Sequence, residues 1–276
     1  MDFKGNSDNG FLDPFLVHIK SSGDSMAKCS SCSSDPYHCY MAASVFQNLM
    51  SDITIDAYGG FTFEVDLSVT TSPGVTPKAS VNFHVCCPGN EAGACFDPPS
   101  GGHFCPLGGY SAFFASKVTT DGGSLTFGGK QKYADTNLAI DTGGGGINLG
   151  NLSSCNTKSS PTVTLKAGGG IIQVNPTWDG HDSWSYLSGF TAKGTGQMQT
   201  GGIIVNGPID IGVPLSISPG AQINSNGYAI ALASIDGSSS DPYNTIVINA
   251  GGSALDKTYF FSGSHIKIFV LQNRAI

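Results

Sequence analysis

The chain has 276 residues, enough for one large all-β domain or two smaller ones, with a core that needs no metal or disulfide to form. Only 12% of it is charged, the net charge is -7, and Arg274 is the sole arginine. That balance excludes nucleic-acid binding, which needs clustered cations, and equally a basic membrane-surface patch.

No stretch approaches the roughly 18 uninterrupted apolar residues of a membrane helix. The first twenty residues lack the basic-then-apolar pattern of an export signal. Export by another route, removal of a signal, or assembly inside a cell would each account for this. The last is the ordinary situation of a virion component.

Residues 1–28 mix Gly, Asn, Asp and Ser with the apolar Phe11, Leu12, Phe15, Leu16, Val17 and Ile19. They read as an extended arm that packs either on its own domain or on a neighbouring subunit. Asp35-Pro36 reads as a helix start, with Asp as N-cap and Pro at the first helical position. Met41, Val45 and Leu49 then recur at helical spacing, predicting one short amphipathic helix that ends near Ser51.

Residues 61–70 alternate without a break: Phe61, Phe63, Val65, Leu67 and Val69 are apolar, and Thr62, Glu64, Asp66, Ser68 and Thr70 are polar. Residues 53–57 and 79–86 repeat the pattern, which predicts three half-buried strands joined as an antiparallel meander. Residues 29–120 thus form a cysteine-containing lobe with the helix and the meander.

From residue 121 to 276 short strands are punctuated by Gly pairs. The apolar parity of Ile203, Val205, Ile209, Ile211, Val213, Leu215 and Ile217 is interrupted by Gly207, Pro208 and Pro214, which predicts two strands with a bulge or edge. Asn226-Gly227 signals a hairpin. The spacing of the Gly pairs is unequal, which argues against a fixed repeat. The predicted fold is therefore all-β, an antiparallel sandwich of jelly-roll type, with a β-solenoid as the alternative.

Three constellations are candidates for chemistry. Cys29, Cys32, Cys39, Cys86, Cys87, Cys95, Cys105 and Cys155 are an even set in a loop-rich region, which suits disulfides. With His38 and His103 some of them could instead hold structural zinc. Trp178, Asp179, His181, Asp182, Trp184 and Tyr186 crowd nine residues and suit either a core-capping loop or a glycan contact. The turns at Asp121, Asp141, Asp236 and Asp241 carry carboxylates that could bind calcium, although turn formation alone explains them.

No nucleophile elbow, phosphate loop, dinucleotide fingerprint or zinc-protease helix is present. The expected function is a non-enzymatic, self-assembling structural protein without a resident cofactor. The first choice is a virion component (capsid, decoration, tail or fibre subunit), acting as a homo-oligomer with other structural subunits. An extracellular filament subunit is the runner-up, and a glycan-binding or glycan-cleaving module the third class.

Overall fold

The structure, a computed structural model, describes residues 2–3, 16–22, 38–57, 60–85, 110–129, 131–154, 160–176, 187–218, 220–236, 245–250, 261–262 and 267–271. Their chain winds as a three-sided coil, each turn adding one strand to each of three parallel faces. The opening turn holds β1 (Asp2–Phe3) and β2 (Leu16–Lys20), followed by β3 (His38–Ala42). The next turns hold β4 (Ile53–Ala57), β5 (Gly60–Phe63) and β6 (Leu67–Val69), then β7 (Val81–Val85), β8 (Tyr110–Phe113) and β9 (Lys117–Thr120). After them come β10 (Leu125–Phe127), β11 (Gln131–Ala134) and β12 (Leu138–Asp141).

In the following turns one strand bends round a corner to serve two faces. These turns comprise β13 (Ile147–Ser154) with β14 (Thr162–Lys166), and β15 (Ile172–Pro176) with β16 (Gly189–Lys193). Next are β17 (Met198–Thr200), β18 (Ile203–Ile204), β19 (Ile209–Ile217), β20 (Gln222–Asn224) and β21 (Ile230–Asp236). The described chain closes with β22 (Thr245–Asn249), β23 (Phe261–Ser262) and β24 (Lys267–Leu271).

Every described ladder is parallel. On the first face β4 pairs with β7, β7 with β10, β10 with β13, β13 with β15 and β15 with β17. The antiparallel sandwich is thereby overturned: β4 and β7, expected as outer strands of a meander, lie side by side and run the same way. Alternation cannot separate the two folds. A coil with an apolar lumen and a wet exterior gives each strand the same one-face-buried pattern as a sandwich.

The expected strand 61–70 is likewise two strands. It turns a corner at residues 64–66, so that Phe61 and Phe63 line one face of the lumen and Leu67 and Val69 another. Val65, predicted to share their burial, is half-buried at that corner.

The unequal Gly spacing has a structural cause. Partners one turn apart are 28 residues apart at Asp52 and Ser80, 44 at Ser80 and Ser124, 22 at Ser124 and Gly146, and 26 at Gln173 and Gln199. The strands keep register while the connections vary, so no single period exists to be found.

Two local expectations also fail. The predicted helix is β3 followed by a 3-10 turn, Ala43–Phe46; its proposed start, Asp35-Pro36, lies outside the described residues. Met41 and Leu49 are indeed buried and Val45 partly so, but from a strand and the tight turn after it, so their spacing mimicked a helical face. Asn226-Gly227 does form a tight turn, with both residues at positive φ (52° and 99°), yet it joins β20 to β21 on a different face and makes no hairpin. Within the expected arm, Leu16, Val17 and Ile19 are buried, and β2 is bracketed by β3 and β5. The long apolar run after Ile203 is two strands, and β19 carries a register shift between Ile211 and Pro214.

Phenylalanine fills the lumen. In-register stacking places Phe63 on Phe113 (ring centroids 4.9 Å apart, planes 12° apart) and Phe83 on Phe127 (5.2 Å, 11°). The two stacks meet edge to face, Phe63 against Phe83 at 4.9 Å and 89°. Parallel neighbours put like side chains above one another, and the perpendicular approach from the adjoining face suits the ring quadrupole.

At the corners, side chains and glycine replace the missing ladder bonds. Asp52 Oδ1 accepts from the Ser80 N–H, Ser80 Oγ from the Ser124 N–H, and Ser124 Oγ from the Gly146 N–H. Beside them stands a column of Gly123, Gly145, Gly170 and Gly196. A Cβ on any of these would overlap the backbone carbonyl of the turn before it. Gly170→Ala is therefore expected to cost about 1–3 kcal/mol, the usual range for overpacking. Gly169→Ala, whose Cβ would meet only Thr195 Oγ1 at 3.8 Å, should stay within about 0.5 kcal/mol. Paired urea melts measure the difference, and equal midpoints would mean that the corner opens freely.

On the second face β18, β20, β22 and β24 form a separate four-stranded sheet. The break falls after Pro176 at the end of β15. Proline has no N–H to donate to a ladder. Asn175 turns its Oδ1 instead to Thr200 Oγ1 (3.3 Å) and the Gly201 N–H (2.5 Å).

Candidate functional site: an uncharged ladder on the first face

The outward positions of the first face stand in one column. Thr54 is in register with Asn82, Asn82 with Thr126, Thr126 with Asn148, Asn148 with Gln173, Gln173 with Gln199, and Gln199 with Ser216. Each lies between two buried residues of its own strand, as Thr126 lies between Leu125 and Phe127, so the pleat directs it outward. All seven side chains are neutral, and all carry hydroxyl or amide groups that both donate and accept. Gln173 is exposed and the others half-buried.

The Gln173 amide donates to Gln199 Oε1 at 2.9 Å. Thr54, Asn82, Thr126, Asn148 and Ser216 make no side-chain hydrogen bond within the described residues. One histidine–carboxylate pair flanks the column at its N-terminal end, with His84 Nδ1 2.7 Å from Asp56 Oδ1.

The third face differs. Its outward row carries Asp141, Lys166 and Lys193 in register, with Lys166 Nζ 2.9 Å from Asp141 Oδ2 and Lys193 Nζ 4.0 Å from Asp210. Partial burial works to raise the Asp141 carboxyl, but hydrogen bonds from Lys166 and the Gly143 N–H, with the charge of Lys117, outweigh it and hold it below its ordinary value. Such exposed pairs contribute little to stability.

A second polar cluster locks the N-terminal end. His18 is buried, with Nδ1 2.7 Å from Glu64 Oε1 and 2.8 Å from Thr62 Oγ1. Its ring stacks on Tyr40 at 4.9 Å, and Lys20 Nζ sits 4.5 Å above Tyr40 and 3.3 Å from Glu64 Oε2. The cluster ties together β2, β3 and the corner after β5, and forms a clasp on the first turns.

One inward position is unusual. Lys132 occupies the luminal column formed by Phe61, Ser111 and Leu152 and is 4% exposed. Its Nζ donates to Gly129 O at 2.7 Å, and burial pushes its pKa down to about 8.

Of the cysteine, histidine and aromatic candidates foreseen from composition and spacing, Cys39 is buried and disulfide-bonded. The other seven cysteines, including its partner, lie outside the described residues, as do His103 and residues 178–186; His38 is described only as part of β3. No group of three or more potential metal ligands occurs among the described residues. Asp121 sits in a corner turn, where it accepts from the Thr71 N–H at 3.0 Å and pairs with Lys78 at 3.1 Å, whereas Asp141 ends β12 and Asp236 ends β21; Asp241 lies outside the described residues. No described helix is long and apolar enough to cross a membrane.

The ladder on the first face escaped the sequence reading. Its members are 17 to 44 residues apart and become neighbours only once the winding is known. The available signal was the single polar residue in the short apolar triplets Leu125-Thr-Phe127, Ile147-Asn-Leu149, Ile172-Gln-Val174 and Leu215-Ser-Ile217. No protein-family model, curated protein or solved structure matches the chain.

Proposed function

We propose that the chain is a structural, self-assembling fibre subunit, belonging to a virion tail or fibre or to an extracellular filament. The observation that supports this reading is the parallel stacking of turns, continuous on the first face from β4 to β17 and on the third from β6 to β21. Each turn touches only its neighbours, so the fold extends along one axis and presents long flat faces to other subunits. Among the structural roles expected from the sequence, such a shape suits a fibre better than a closed shell. Homo-oligomerisation along a face or at an end is part of the proposal, since β3 and β24 each have a ladder on one edge only among the described residues.

Negative-stain microscopy and light scattering of the purified chain test it. Rod-shaped oligomers longer than a single subunit are expected at micromolar concentration. Monomers at every salt concentration tried, or closed shells, would sink the fibre reading.

A further inference from the structure

We infer that the uncharged column on the first face is a binding track for an extended neutral polysaccharide lying along the axis of the coil. The neutral part of the column runs from Thr54 to Ser216, seven rungs in register, with Asp2 and Asp236 in register beyond its two ends. Adjacent parallel strands are about 4.8 Å apart, so it spans about 29 Å. A ligand that uses several rungs must be linear, repetitive and able both to donate and to accept at each step. A chain of sugar hydroxyls meets that description, since Asn, Gln, Thr and Ser each offer both roles.

Charge selects the class of polymer. From Thr126 to Ser216 no strand segment of the first face carries Asp, Glu, Lys or Arg, whereas the third face of the same turns carries Asp141, Lys166, Lys193 and Asp210. An acidic polysaccharide would find no cation on this track, and a peptide's or nucleic acid's charges no partner. The rows are low beside Thr126 and Asn148, with Ser124 and Gly146 on one side and Gly128 on the other, whereas Gln173 is flanked by Ile171, which is 46% exposed, and Asn175, and Gln199 by Gln197 and Gly201. A ring can therefore approach Thr126 and Asn148 without steric obstruction from those rows, while at Gln173 it meets the exposed side chain of Ile171 on one side. Thr126 and Asn148 reach it with no bond to another described side chain to give up. Each contact is weak, and affinity comes from engaging successive rungs at once. The track is distinct from residues 178–186, the loop singled out in the sequence.

Affinity electrophoresis in gels containing dextran, hydroxyethylcellulose or galactomannan, with alginate as the acidic comparison, tests the inference. Wild-type protein should be retarded by at least one of the neutral polymers and not by alginate. The triple variant Thr126→Ala/Gln173→Ala/Gln199→Ala should lose at least ten-fold in affinity. Gln173→Ala alone, at an exposed position that cannot endanger folding, should lose a few-fold. The third-face variant Thr164→Ala/Thr191→Ala should bind as wild type does. Retardation by none of the neutral polymers, preference for alginate, or equal losses on the two faces would overturn the assignment. Because binding is read on single subunits, its failure is independent of whether fibres form.

Discussion

Phe63→Ala should destabilise the fold by about 3–5 kcal/mol, the range for emptying a buried aromatic site. Phe63 is fully buried and touches Phe61, Phe83, Phe113 and Phe127. Its removal opens a cavity bounded by rings from its own strand, from β8 and from the adjoining face, with Ile19 of β2 in register on the other side. The lumen is narrow, and hydrogen-bonded ladders hold its walls at a fixed spacing, so collapse around the void is limited. Ser68→Ala, on the exposed side of β6, should change stability by less than about 0.5 kcal/mol. Thr62→Ala falls between: Thr62 is 1% exposed and lies 2.8 Å from His18 Nδ1, so its loss removes a buried hydrogen bond worth about 1–3 kcal/mol. Guanidinium melts of the three variants check the order, and equal sensitivity of Phe63 and Ser68 would contradict the luminal assignment.

The second large effect is a rise in stability with alkaline pH. Lys132 titrates near 8 in the folded chain against 10.5 for an unperturbed lysine. Between those values the unfolded state holds more protons than the folded one, so stability climbs as pH rises from about 8 to about 10.5. The depressed pKa corresponds to about 3 kcal/mol of destabilisation by the charged form, present in full below pH 8 and relieved above 10.5. Lys132→Met keeps the luminal volume and removes the charge. It should raise the melting temperature at pH 7 and flatten the climb. Parallel pH profiles of the two proteins isolate this group from tyrosines and thiols that titrate nearby, and superimposable profiles would show that Lys132 is solvated.

The sequence showed where side chains go more clearly than which strands meet. The burial of Phe61, Phe63, Leu67, Val69, Val81 and Phe83 was legible because alternation reports the pleat directly. Their partners were not, because short connections between successive strands suit a hairpin as well as a corner. The Gly143–Gly146 run read only as punctuation between strands, whereas at Gly145 one turn of backbone rests on the next. The candidate track was invisible for the same reason: Asn148 and Gln173 are unremarkable until Ile147 is set beside Ile172. Lys132 was hidden by its own type, since a lysine in an alternating strand is assigned to water.

The interruption after Pro176 has a mechanical consequence. From the turn of β4, β5 and β6 to that of β15 and β16, and again between the turn of β17 and β18 and the next, described ladders stitch all three sides. Between the turn of β15 and that of β17 and β18, the second side has no ladder among the described residues, and side-chain bonds to Asn175 Oδ1 stand in for it. Under tension along the axis the rod should part at this seam first, leaving two blocks whose internal stitching is intact. Fracture would then be governed by one proline and one asparagine, and not by the phenylalanine-filled interior on the far side of the seam.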